Sequence, residues 1–232
     1  MRTFFITFIV LLATWPAPSQ SATRNFGVNG FDRIRVEGPF KVSVATGVAP
    51  SATVSGSSAA IDRVDIDVQG TTLIVSANLS SWGGYPGKDQ GPVEIKIGTH
   101  ELSQARLNGS GSLVIDKAKG LSFLLSTQGS GSASIQKADV DQLTVAVAGT
   151  GSATVAGRAG KLTAWVRGVS SFDGSALNAK NAVLRAEGPS TVKADVSNEA
   201  TIQGNGTATI ALTGKPTCTN KLVGSANVTG CR

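Results

Sequence analysis

The chain has 232 residues, with 21 Lys and Arg against 15 Asp and Glu, one His and two Cys. Aromatic residues make up only 5% and Gly accounts for 28 positions, a balance that argues for many short strands and tight turns around small β-branched side chains. No His or Cys cluster has zinc spacing, the one His, His100, reads as a surface turn residue and not as the base of a Ser-His-Asp triad, and no basic run carries interleaved aromatics, so neither such chemistry nor specific nucleic-acid binding is expected.

Residues 1–22 read as a secretory signal peptide. Arg2 precedes an apolar run from Phe4 to Ala13, and small and polar residues follow, with cleavage expected near Ser21 to Thr23. The run is too short to span a membrane as a helix, and no later segment is long and apolar enough to do so. No Cys follows it that would carry a lipid. Without Arg2 the remainder has 20 basic and 15 acidic residues, a net charge of 20 − 15 = +5. That charge serves solubility, or a mild attraction to anionic polymers and surfaces.

Residues 23–232 read as one domain. From residue 31 to 98, "FDRIRVEGPFKVSV", "VDIDVQGTTLIVSA" and "PVEIKI" alternate apolar and polar residues, as half-buried strands do. Residues 78–91 break the alternation and read as an excursion loop bearing Trp82 and Tyr85, which either anchor the loop or contact a ligand.

Beyond residue 100 a repeat sets in. One Gly per unit recurs at Gly109, Gly129, Gly149, Gly168, Gly188, Gly204 and Gly224, at spacings of 20, 20, 19, 20, 16 and 20. A disordered linker has no reason to keep such a period, whereas a solenoid requires one. Two residues before the anchor stand mostly apolar residues, among them Leu107, Val147, Val166 and Ile202, and four after it Leu113, Ala133, Phe172 and Val192. Intervening positions are mostly polar, so each unit reads as strand, glycine corner, strand. The Ser or Thr three after each anchor, such as Ser112, Ser152 and Thr207, is expected to cap the corner. Stacked coils give parallel strands about 4.8 Å apart. The fold class expected is a single-stranded right-handed parallel β-helix with coils of about 20 residues.

The openings "FDRIRVEGPFKVSVATG" and "VDIDVQGTTLIVSA", the stretch "HELSQARLNGSGSLVI" with its GSG-type repeats, and the closing "CTNKLVGSANVTGC" resemble the head GIN domain family of putative autotransporter adhesins. The resemblance covers residues 26–232 and implies a right-handed parallel β-helix in a bacterial exported protein. It carries no catalytic residues onto this chain, and no later segment reads as a membrane β-barrel.

Cys218 and Cys231 are expected to bridge in an oxidising compartment and close residues 218–231 as a C-terminal coil, worth about 3 kcal/mol in the loop-entropy model. Reactive or metal-binding thiols are the alternative. That coil and residues 26–40 are expected to cover the two open ends of the solenoid.

No catalytic cluster, metal site or cofactor motif emerges. Asp173, Glu187 and Asp195 fall on neighbouring coils, but Asp173 and Glu187 fall on different walls, so a paired-carboxylate site is not expected. Binding is easier to motivate. One and three residues before each anchor lie outward positions of a single wall, which place Trp165 beside Arg167 and Arg185, with Arg106 and Gln128 on earlier coils. An exposed indole among guanidinium and amide groups suits a sugar ring or an anionic polymer. The function expected is an exported, non-enzymatic adhesin-like scaffold, in the periplasm or on the cell surface, that binds a glycan, anionic polymer or protein. A polysaccharide-degrading β-helix and an envelope protein that oligomerises through its ends are the alternatives.

Overall fold

The computed structural model describes residues 22–78 and 92–232. The signal peptide up to Ser21 and residues 79–91 of the excursion loop, with Trp82 and Tyr85, therefore lie outside the described residues. Those described form a β-solenoid of about 6 turns with coils of ~20 residues. Five long strands make its body: β9 (Ser112–Gly129), β10 (Ser132–Gly149), β11 (Ser152–Gly168), β12 (Ser171–Glu187) and β13 (Thr191–Gly206). Each runs from one glycine corner to the next and pairs in parallel with its neighbours. The end of each strand forms the wall before a corner, and the start of the next forms the wall after it.

The inward columns are what hold the coils together. Val145, Ala164, Leu184 and Ile202 stack in register, each with at most 0% exposure. Along each strand burial alternates, because successive side chains point to opposite faces. Two breaks in the apolar columns have a packing cause. Gly174 stands inward beneath Phe172, whose ring passes 2.9 Å from where a Cβ would sit, so a large residue and an absent one share the space. Gly204 stands inward over Leu222 and Ala226, each 3.0 Å from its would-be Cβ.

Gly204 is consequently not a corner. The corner of that coil is Gly206, with φ 81°, which stacks on Gly224, while Gly204 pairs with buried Ala186. The repeat there is 18 and 18 residues, not 16 and 20. The slip of two residues leaves every side chain on its expected face, because the strand period is two. The Ser and Thr residues after the corners do not act as expected. Their backbone N–H groups join the ladder, as Ser132 N–H does to the Gly111 carbonyl at 3.0 Å. Thr209, not Thr207, is the member of that column on the corrected coil.

Toward the N-terminus the coils shorten. β2 (Arg33–Glu37), β6 (Thr72–Ala77) and β8 (Gln104–Gly109) continue the wall before the corner, while β3 (Lys41–Thr46) and β7 (Glu94–Thr99) continue the wall after it, all in parallel. The parallel scheme then stops. β5 (Val64–Gln69) pairs antiparallel with β6, and β4 (Ser51–Gly56) antiparallel with both β7 and β1 (Ala22–Phe26). This antiparallel cap covers the end, so residues 26–40 do not. β2 and β3 lie inside the stack. A one-turn helix, α1 (Ser58–Ile61), leads into β5, with the Ser57 hydroxyl accepting from the Ala60 N–H.

At the other end β14 (Thr209–Thr213), β15 (Thr217–Gly224) and β16 (Asn227–Thr229) close the last coils. Cys218 and Cys231 are bridged, with Cα atoms 5.7 Å apart, which settles their role as a staple.

At the corners glycine is needed twice. Gly149 has φ 104°, and a Cβ on it would meet the Gly129 carbonyl oxygen of the preceding coil at 2.6 Å. Gly149→Ala is expected to destabilise the fold by about 1–3 kcal/mol in chemical denaturation. Gly27→Ala, at ordinary φ with open space around it, is expected to be near neutral.

Candidate functional site

From β2 to β15 the wall before the corner carries two outward columns, the first of which continues beyond β2 to Ile74 on β6 and Asp67 on β5. The first reads Arg35, Arg106, Ser126, Ala146, Trp165, Arg185, Gln203 and Lys221 in coil order. The second, two residues on, reads Glu37, Asn108, Gln128, Ala148, Arg167, Glu187, Asn205 and Val223. The alternation that buries Ala164 and Val166 turns Trp165 outward, and its exposure is 50%.

Trp165 sits at a step in side-chain size. Its register partners are Ala146 on the preceding coil and Arg185 on the next. The two alanines, Ala146 and Ala148, form a low floor, and Trp165 and Arg167 rise beside it. A recess of ≈ 260 Å³ results, bounded further on by Arg185 and Glu187. A second recess of ≈ 190 Å³ shares Arg185 and Glu187 and runs on to Gln203, Asn205 and Lys221. The wall is thus grooved rather than flat from β10 to β15.

The charges on this wall are unequal. From β2 to β15 the two columns hold five basic residues, Arg35, Arg106, Arg167, Arg185 and Lys221, and two acidic ones, Glu37 and Glu187. Arg35 and Glu37 pair at 3.0 Å, and both are exposed enough that the pair adds little stability. Among the described residues, neither Arg167 nor Arg185 has a carboxylate within salt-bridge distance. The Arg185 guanidinium instead stands 5.5 Å from the Trp165 ring centroid, a cation–π contact.

Sequence reasoning placed Trp165, Arg167 and Arg185 together, and the structure does bring them together. Arg106 shares the Trp165 column but lies three strands away, with Ser126 and Ala146 between. Gln128 shares the Arg167 column two strands away. Arg35, Glu37 and Lys221 were missed. The same rule, one and three residues before a corner glycine, reaches Lys221 from Gly224, already an anchor, and Arg35 and Glu37 once Gly38 is added as a corner.

The carboxylates behave as surface groups. Asp173 accepts from the Ser175 N–H at 3.0 Å and pairs in register with Lys193. The Ser175 backbone hydrogen bond, with help from its side chain and from Lys193, holds the Asp173 pKa below its usual 3.8, the wrong direction for a general acid. Glu187 lies on the other wall, in register with Arg167 and Asn205. Asp195 accepts from Thr213 at 2.9 Å and from Asn178 at 3.3 Å. His100 is exposed in the turn after β7. Among the described residues no group of three or more His, Cys, Asp or Glu is placed to hold a metal.

The family model for the putative auto-transporter adhesin, head GIN domain, matches residues 30–216. No curated protein sequence matches the chain. A solved putative adhesin from Bacteroides fragilis superposes with a TM-score of 0.81 at 18% identity, over 91% of this chain and 96% of that one. A solved putative lipid binding protein from Parabacteroides distasonis gives 0.71 at 19%, over 90% and 95%. A putative adhesin from Parabacteroides merdae gives 0.69 at 14%, over 90% and 95%. At these identities the likeness is one of fold.

The low Asp173 pKa has a consequence for acid stability. A folded-state pKa below the unfolded value means that the ionised group stabilises the fold above the unfolded pKa, and that this is lost as pH falls through the folded pKa. Asp173→Asn is therefore expected to melt below wild type at pH 7, with the gap closing as pH falls below about 4. A gap that did not change with pH would contradict this origin.

Proposed function

We propose a function for this chain from one premise: it belongs to the head GIN domain family of putative auto-transporter adhesins. The reading is an exported, non-enzymatic adhesin-like module that binds an acidic glycan chain along the wall before the corner, centred on Trp165. The Cys218–Cys231 bridge supports export, since such bridges persist in oxidising compartments. No helix among the described residues is long and apolar enough to cross a membrane.

One observation carries the ligand class. A half-exposed indole stands beside two guanidinium groups that have no carboxylate partner among the described residues, at the edge of a groove floored by alanine. An indole face stacks on the C–H face of a sugar ring. Arg167 presents a planar fork matched to a carboxylate or sulfate. Glu187 and Gln128 supply an acceptor and an amide for hydroxyls along the same column. The groove crosses several coils, so it suits an extended chain better than a compact ligand. Hydrolysis of that chain is not supported, because Asp173 and Glu187 do not face each other and Asp173 is held ionised.

Titration with an acidic polysaccharide such as polygalacturonate tests the reading. Wild type is expected to bind with an affinity that falls as salt rises, and to bind a neutral polysaccharide at least tenfold more weakly. Trp165→Ala and Arg167→Ala are each expected to weaken the acidic ligand about tenfold or more. Binding unchanged in both variants, or no binding by wild type, would contradict it.

A further inference from the structure

We infer that the Trp165 groove has a second anion-binding end, formed by Arg106 and Arg35, three strand spacings from the indole, and that this end sets the shortest acidic chain the wall holds in full. The inference rests on the acidic-glycan reading of the Trp165 site. It adds where the rest of the ligand lies and how long that ligand must be.

The first observation is a surplus of like charge. Arg106 on β8 stands in register with Arg35 on β2, so two guanidinium groups occupy neighbouring positions of the first outward column. Like charges one strand apart repel. One carboxylate answers them, that of Glu37, whose Oε1 lies 3.0 Å from Arg35 Nε. Among the described residues Arg106 has no carboxylate within salt-bridge distance. With its amide turned to satisfy both groups, Gln104 accepts from Arg106 Nη2 at 2.9 Å. That bond steadies the guanidinium and leaves its charge uncompensated. Arg106 is exposed and Arg35 half-buried. Arg106 is therefore the group a ligand reaches, and Arg35 adds positive potential behind it.

The second observation is the low surface between the two ends. In the first column only Ser126 and Ala146 separate Arg106 from Trp165. In the second column Gln128 and Ala148 separate Asn108 from Arg167. A trough two strands wide therefore lies between a guanidinium on one side and an indole on the other. It is continuous with the alanine floor of the Trp165 recess. No residue of either column from β8 to β11 is acidic.

Charge gives the ligand a direction. Leaving Arg167 toward β12, the second column presents the Glu187 carboxylate at once. Leaving it toward β8, the column presents no carboxylate before Glu37, which Arg35 engages. A chain that carries a carboxylate on each sugar is therefore drawn across the trough toward Arg106. The distance to cover is three strand spacings, about 14 Å. Two sugar rings fall short of it and four reach it. A chain of four gains a charge-assisted contact at Arg106 that a chain of two lacks, and one ligand then holds both ends together.

Chemical-shift titration with digalacturonate and tetragalacturonate tests the second end, since it reads weak as well as tight binding. Wild type is expected to bind the tetramer about tenfold more tightly than the dimer. Arg106→Ala is expected to abolish that gain and leave the affinity for the dimer unchanged, whereas Trp165→Ala is expected to weaken both ligands. Lys180→Ala removes one exposed charge from the bend between the two walls of β12. It is expected to keep the wild-type gain, which separates a contact at Arg106 from a loss of net charge. Arg106 points outward, and circular dichroism checks that its variant folds as wild type. Wild type that binds neither ligand, or Trp165→Ala that binds both as wild type does, would overturn the glycan reading and this inference with it. Binding that depends on Trp165, with a gain for the tetramer that survives Arg106→Ala or is lost equally in Lys180→Ala, would overturn the second end alone. So would equal affinity of wild type for the two ligands.

Discussion

The structure depends on the close stacking of one coil's backbone on the next. Outside the antiparallel cap, strands of successive coils donate and accept along parallel ladders, and the corners must approach as closely as the strands do. At Gly129, Gly149 and Gly168 a Cβ would lie 2.5–2.6 Å from the carbonyl oxygen of the glycine on the preceding coil. Any other residue there would push the coils apart and lengthen the ladder on both walls. The narrow interior follows from the same constraint, and alanine and valine suit it. Where an inward residue is large, as at Phe172, a neighbouring position gives up its side chain, as at Gly174.

That constraint also makes the outer surface periodic. Side chains one coil apart stand in register, so a difference in size or charge between successive coils becomes a feature of the wall. Ala146 followed by Trp165 makes a ledge, and Arg185 on the next coil caps one face of the indole. A groove arises without any loop. Elsewhere the same stacking neutralises charge, as where Arg158 reaches the Asp139 carboxylate of the preceding coil at 3.0 Å. Arg167 has alanine on one side in register and Glu187 on the other, without an ion pair to either. The wall's positive character comes from that placement more than from the modest net charge of the chain.

Most of this was legible in the sequence because two periods are superimposed on it, two residues along each strand and about twenty along the chain. The first assigns faces and the second assigns neighbours. Trp165 faced outward in the reading and in the structure for that reason. The reading failed at Gly204, which has the right residue type for a corner but a buried, inward position. The signal that separates the two lies in space: Leu222 and Ala226 fill the volume below it. The antiparallel cap was not legible either, because β4 and β5 alternate apolar and polar residues as parallel strands do, and alternation carries no direction. The ledge needed a third step, comparison of side-chain volumes between coils, which a column of residue names contains but does not display.

The account stands or falls on the placement of one indole, outward and among cations. In the chain from residue 23 onward carrying Trp82→Phe, Trp165 is the only tryptophan. Its fluorescence should be quenched readily by iodide and much less by caesium, because a half-exposed indole flanked by Arg167 and Arg185 draws the anion and repels the cation. Emission shielded from both ions would place Trp165 in the interior, and stronger quenching by caesium would reverse the sign of the wall; either result would contradict the account.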